Sequence, residues 1–282
     1  MGKRTLRVYY AGHLANMGDQ LNIHIIKACF GYDIARHKSL VSDMCAIGSC
    51  LSGVTFSDEL SHRMVQYISG MIFPTIYVWG TGFLNETDGK RPFFRKNTIL
   101  CAVRGCLTKK RLEKTLDRNL DIPTADGGLL ASELLPSKVE KVNAVGIIPH
   151  FRELDNPCFQ MLADRLPNSK LINVTEEPLS VIHDIASCDS IISSSLHGLI
   201  VADSLGIPNR HLIASEAPLG DGFKFRDYYS AFDVPYNPLT ENQVGDITLY
   251  DIVDQYKIST AAVQTKKEAL LKAFPFKTLI PN

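Results

Sequence analysis

The sequence predicts an α/β protein built as two doubly wound domains that face each other across a cleft. Three observations carry that prediction. Short apolar runs alternate with amphipathic stretches along most of the chain. The rhythm is interrupted at the charged, loop-like residues 136–142 and then restarts. With 282 residues, 45% of them apolar and 21% charged, the chain is long enough for one large or two ordinary soluble domains. The expected division is 1–138 and 139–282.

Each element follows from local pattern. In the first half, residues 6–10, 44–47, 76–79 and 99–103 are apolar runs of strand length followed by turn or helix signals, and residues 20–29 and 107–116 read as helices. The second half opens with a strand at 145–148 and a helix at 157–166 begun by Pro157. Strands at 170–173, 190–193 and 210–213 then alternate with helices at 179–187 and 197–205. Residues 259–274 form a lysine-rich closing helix, with Ala262, Ala269, Leu270 and Ala273 for a packed face; a basic membrane-surface helix is the alternative. Sheets of this kind bind ligands beyond the carboxyl ends of their strands, so motifs at strand ends are the candidates.

Composition excludes several classes. Thirty basic and thirty acidic residues cancel, leaving no global field to attract nucleic acid. The apolar stretches 72–79 and 199–205 are interrupted by Pro74 and Asp203 and fall far short of the roughly 20 residues that cross a bilayer. Residues 1–10 run straight into a strand-like segment without a leader pattern, so a cytoplasmic location is expected. Seven cysteines without close Cys-x-x-Cys pairs predict reduced, mostly buried thiols and no metal site.

Six strand-end motifs bear chemistry. Ser193-Ser194-Ser195-Leu196-His197-Gly198 joins a strand to a helix, where free N–H groups, hydroxyls and an imidazole can converge on a phosphate or carboxylate; plain serine capping is the bland reading. Asn16-Met17-Gly18-Asp19 puts a carboxylate at a helix start, as a cap, a catalytic group or both. Trp79-Gly80-Thr81-Gly82 allows close backbone approach to a ligand but lacks the third glycine of a dinucleotide fingerprint. Ala102-Val103-Arg104-Gly105 places a bidentate cation at a strand end, against a surface salt bridge as the alternative. Pro149-His150-Phe151-Arg152 and Phe223-Lys224-Phe225-Arg226-Asp227-Tyr228-Tyr229 add cations beside aromatics, which suit a sugar ring. Together these motifs predict a cationic cleft in a neutral protein.

By these six motifs in this order, with Gly206-Ile207-Pro208 and Ala273-Phe274-Pro275, the chain resembles the polysaccharide pyruvyl transferases nearly end to end, most closely bacterial ketal pyruvyltransferases such as the one that decorates xanthan. One departure is Ala125-Asp126-Gly127-Gly128, where relatives usually carry Gly-Asp-Pro-Gly; the acid is retained. The resemblance implies two facing Rossmann-like domains in a GT-B-like arrangement, with the acceptor on the N-terminal side and the donor on the C-terminal side. It implies phosphoenolpyruvate as donor, with no cofactor and no metal, and a lipid-linked exopolysaccharide repeat unit as acceptor. Membrane contact through Lys266, Lys267 and Lys272 is then expected.

The resemblance further implies four catalytic groups: His197 or His150 as general acid, Asp19 as base or as the carboxylate that orients the acceptor, and Arg104 at the departing phosphate. Ser193, Ser194, Ser195, Lys224, Arg152 and Arg226 are expected at the donor, and Asn16, Trp79, Gly80, Gly82 and Tyr228 at the acceptor. Two alternatives stand beside this reading: a GT-B glycosyltransferase using a nucleotide sugar, and a non-catalytic carbohydrate-binding module.

Overall fold

A computed structural model describes residues 5–12, 16–56, 60–87, 93–94 and 97–279. The opening residues Lys3 and Arg4 lie outside the described residues. The first half is a parallel sheet of β1 (Thr5–Tyr9), β2 (Asp33–Arg36), β3 (Met44–Cys45), β5 (Ile76–Val78) and β7 (Thr98–Leu100), in the order β2-β1-β3-β5-β7. A small antiparallel pair, β4 (Thr55–Phe56) and β6 (Phe93–Phe94), is appended to it. Its helices are α1 (Met17–Phe30), α2 (Leu60–Ile72) and α3 (Cys106–Leu116).

The second half repeats the plan. Its parallel sheet contains β8 (Asn143–Ile148), β9 (Ser169–Leu171), β10 (Cys188–Ser193), β11 (Asn209–Ile213) and β12 (Leu239–Thr240), in the order β12-β11-β10-β8-β9. Helices α4 (Pro157–Arg165), α5 (Pro178–Ala186), α6 (Leu196–Ser204), α7 (Phe223–Ser230) and α8 (Leu249–Val253) surround it, and α9 (Thr260–Lys272) closes the chain. The fold is therefore two Rossmann-like units, as expected.

Local chemistry explains the elements that frame the cleft. The α1 helix starts where the Asn16 side chain accepts from the Gly18 N–H, and it stops at Gly31, whose φ of 79° few other residues adopt readily. Leu21, Ile25, Ile26 and Phe30 give it one fully buried stripe. Strand β10 is buried on both faces from Ser190 to Ser193 because helices cover both sides of a parallel sheet. Strand β2 escapes the sequence pattern because it is an edge strand, only partly buried and without an apolar run.

Both sheets reverse direction near their centres. In the first, β1 leads to β2 on one side and the chain returns to β3 on the other; in the second, β8 leads to β9 and the chain returns to β10. Each reversal opens a crevice at the carboxyl ends of the two strands that flank it.

The closing helix is not a free basic surface. Trp79 Nε1–H donates to the Leu270 carbonyl at 3.0 Å, and Phe274 stacks on Phe30 with ring centroids 3.5 Å apart, so α9 is packed against the first unit. Lys267 donates to Ser132 Oγ and the Ser204 carbonyl, and Lys266 to Thr124 Oγ1. This corrects the expected membrane face: two of its three lysines are turned inward, because ammonium groups on the packed side find acceptors there. All seven cysteines are free. Among the described residues, no helix is long and apolar enough to cross a membrane.

Candidate active site

A cavity of about 350 Å³ lies between the two units, at both crevices at once. Ala11, Asn16 and Asp19 reach it from beyond β1, and Gly48 and Ser49 from beyond β3. His150, Phe151 and Arg152 reach it from beyond β8, and Ser195, Leu196 and His197 from beyond β10. Lys224 enters from the first turn of α7, and Leu84 and Leu219 complete the wall.

Asp19 is the carboxylate of this cavity. The cap of α1 falls to Asn16, which leaves the Asp19 side chain without a hydrogen bond among the described residues. Burial pushes its carboxyl up to about 7, against the pull of Arg36 and Lys224. Lys224 is 8% exposed and its Nζ has no hydrogen-bond or ion-pair partner among the described residues. Burial, with Arg104 nearby, lowers its ammonium to about 8, while Glu153 and Asp19 oppose that shift.

The histidines arrive by different routes. His150 accepts at Nδ1 from the Arg152 N–H at 3.3 Å, which leaves the proton of its neutral ring on Nε2. Burial, then the charges of Lys224 and Arg152, push it down to about 4. His197 stands in the first turn of α6, held so closely against α1 that a Cβ on Gly18 would fall 2.2 Å from its Nδ1. Burial, with Arg104 and Lys224, lowers it to about 3, so the ring is neutral while the cleft is empty.

The serine turn divides its labour. Ser193 Oγ accepts from the Ser195 N–H, and Ser194 Oγ accepts from the His150 N–H, so both hydroxyls build the turn rather than face the cavity. Ser195 alone of the three lines it. The N–H groups at the α6 start keep no side-chain cap, since Ser195 makes none.

Other expected site residues lie elsewhere. Arg104 is fully buried; it donates to Asp227 Oδ2 at 2.9 Å, to Ser49 Oγ at 2.7 Å and to the Phe83 carbonyl, so its fork is occupied by the protein. Asp227 also accepts from the Thr108 N–H and hydroxyl, which makes this cluster a bolt between α3 and α7. Gly82 is small for the same reason, as a Cβ there would stand 2.6 Å from the Arg104 guanidinium. Gly80 packs against the Gly127 backbone, and Trp79 is fully buried. Tyr228 is buried with its hydroxyl on Asp203 at 2.6 Å. Arg226 pairs with Glu86 at 3.0 Å on the outside. These positions are corrected from ligand contacts to framework: being at a strand end does not decide whether a side chain points to the cleft or the core. Of the expected acceptor residues, Asn16 lines the cavity.

Sequence reasoning passed over Gly48 and Ser49, although they follow a recognised apolar strand and the same strand-end rule reaches them. It also left Asp126 without a role. That carboxylate is fully buried, and its Oδ1 lies 3.9 Å from His197 Nε2. Among the described residues no cluster of three or more His, Cys, Asp or Glu groups could hold a metal.

Comparison with known proteins adds an independent line. The family model "Polysaccharide pyruvyl transferase" matches residues 74–215, half of the chain. Uncharacterized protein L143 of Acanthamoeba polyphaga mimivirus is 26% identical over 236 residues, which cover 79% of each chain. The crystal structure of an α1,3-fucosyltransferase aligns over 99% of this chain and 84% of its own, with 10% identity and a TM-score of 0.21, too low to bear on the fold.

Proposed function

The chain belongs to the polysaccharide pyruvyl transferase family, and we propose that its cleft transfers the pyruvyl group of phosphoenolpyruvate to two hydroxyls of a sugar, forming a ketal and releasing phosphate. The observation that carries the donor assignment is Lys224, a nearly buried cation that lies over the Phe225 ring without a described hydrogen-bond or ion-pair partner, beside the uncapped start of α6. A buried unpaired charge is costly, and a small dianion or trianion that enters the cavity offsets that cost. Arg152 also lines the wall, and its guanidinium has no described hydrogen bond or ion pair, which suits the donor carboxylate.

The chemistry divides among the wall residues. A proton passes from the imidazolium of His197 in this reading, formed once the anionic donor is bound, to the methylene carbon of the donor, whose enol electron pair forms the new C–H bond; the neutral ring regains a proton from solvent as Asp19 later releases its own there. The first sugar hydroxyl bonds to the neighbouring carbon and gives its proton to Asp19, whose raised carboxyl is matched to proton exchange near neutral pH. The carbon–oxygen bond to phosphate then breaks, with the leaving charge met by Lys224 and the α6 N–H groups. The second hydroxyl closes the ketal, and its proton leaves with the phosphate. The scheme uses no metal or cofactor. A lipid-linked repeat unit of an exopolysaccharide as acceptor, met at the cytoplasmic face of a membrane, belongs to the same proposal.

The test is phosphate release from phosphoenolpyruvate by the purified protein with a panel of synthetic and lipid-linked glycosides, beside Lys224→Met. Acceptor-dependent release that the variant lowers at least about 100-fold is the expected result. Thermal stabilisation by a nucleoside diphosphate and none by phosphoenolpyruvate would replace this reading with the nucleotide-sugar one. Continued release in a chelating buffer is also expected.

A further inference from the structure

Two neighbouring residues, His197 in the cavity wall and the fully buried Asp126 beside it, each carry a buried polar atom without a hydrogen-bond partner. His197 Nε2 makes no hydrogen bond, nor does Asp126 Oδ2, and the nearer carboxylate oxygen, Oδ1, is 3.9 Å from Nε2. Unsatisfied buried groups are costly, and two that can satisfy each other by a small ring rotation form a latent hydrogen bond. The surroundings fix which way the ring points. A Cβ on Gly128 would meet His197 Cδ2 at 3.4 Å, whereas one on Gly18 would meet Nδ1, so the Nε2 edge faces the start of the 127–134 segment and the Nδ1 edge faces α1. Asp126 is itself held, since its Oδ1 accepts from the Gly128 N–H at 2.8 Å.

We propose that Asp126 is the positioning residue of His197: it accepts the Nε2 proton, fixes that tautomer, and makes Nδ1 the ring atom that carries the proton to the donor. This rests on the reading of His197 as the proton carrier. The carboxylate stabilises the imidazolium that forms when a second proton reaches Nδ1, and when that proton goes to the donor methylene the ring returns to its neutral Nε2–H form. The charged groups around the pair are Arg104 and Lys224, which disfavour the imidazolium, and Asp227, which together with burial raises the Asp126 carboxyl to about 7. Asp19 faces the same cavity from α1. An anionic donor neutralises the Lys224 field, and the ring then becomes the better proton holder of the pair.

Two readouts test it. In histidine-labelled, ligand-free full-length protein at pH 8.5, nitrogen NMR of His197, assigned by loss of its signals in His197→Gln, is expected to show the Nε2–H form with a downfield proton. That proton moves upfield in Asp126→Ala. For turnover, Asp126→Asn is expected to lower kcat at least about 100-fold while KM for phosphoenolpyruvate stays within about threefold, and to shift the acid limb of the pH profile. An Nδ1–H form in the natural protein, or an unchanged Nε2 proton in Asp126→Ala, overturns the proposal. Should both variants fail to fold, the tautomer and proton shift of the natural protein decide it. The resonance readout needs no substrate, so it stands even if the donor is not phosphoenolpyruvate.

Discussion

Arg104 separates framework from catalysis most sharply. Its side chain and that of Asp227 are both 0% exposed, and the pair is joined at 2.9 Å. Replacing Arg104 by Met removes donors from Ser49, the Phe83 carbonyl and Asp227, and leaves a buried carboxylate supported by Thr108 alone. Breaking a buried ion pair from one side costs about 3–5 kcal/mol. In a protein of this size each kcal/mol moves Tm by about 2–4 °C, so Tm is expected to fall by about 10 °C. The double variant Arg104→Met with Asp227→Leu removes both charges, and a large part of the loss should return, a non-additivity of at least about 1 kcal/mol. The assay is thermal and urea unfolding of the four proteins of the cycle, with turnover measured well below the lowest Tm. Arg104→Met that keeps Tm within about 2 °C yet loses turnover about 100-fold would refute this reasoning and return Arg104 to the phosphate.

Two further outcomes follow from the cavity wall. Gly18→Ala would drive a methyl group into His197 Nδ1, so kcat should fall at least about 100-fold with the helix content of the protein unchanged; near-natural turnover would show that the ring does not act from this position. Asp19 has a carboxyl raised to about 7 in the folded protein, so its ionisation opposes folding. That penalty is absent below its ordinary value near 4, grows as pH rises to about 7 and is constant above. Asp19→Asn should therefore raise Tm at pH 8, with the gain shrinking towards pH 4, while turnover is lost; an equal gain at both pH values would contradict the burial of the charge.

Much of the fold was legible locally. The apolar runs at 6–10, 76–79 and 190–193 mark strands because a sheet covered on both faces needs continuous apolar stretches, and the strands found there are central or next to central. The edge strand β2 and the two-residue β4, β6 and β12 carry no such run and are fixed by their neighbours instead. In the candidate site, Asp19, His150, Arg152, Ser195, His197 and Lys224 were legible as polar groups at strand ends and all line one cavity.

By itself, then, the sequence determined the two main sheets, their parallel wiring and the strand ends from which chemistry would come, because periodicity and turn residues are local properties; the small antiparallel β4–β6 pair was not among them. Only the tertiary structure decided which strand-end groups meet. Arg104 and Tyr228 turn into buried carboxylates, Asp227 and Asp203, that lie 123 and 25 residues away along the chain. Asp126 comes to stand behind His197 because helix α6 packs on the segment that Asp126 caps. A side chain between a cleft and a core goes where its hydrogen bonds can be satisfied, and those partners are assembled only when distant segments pack.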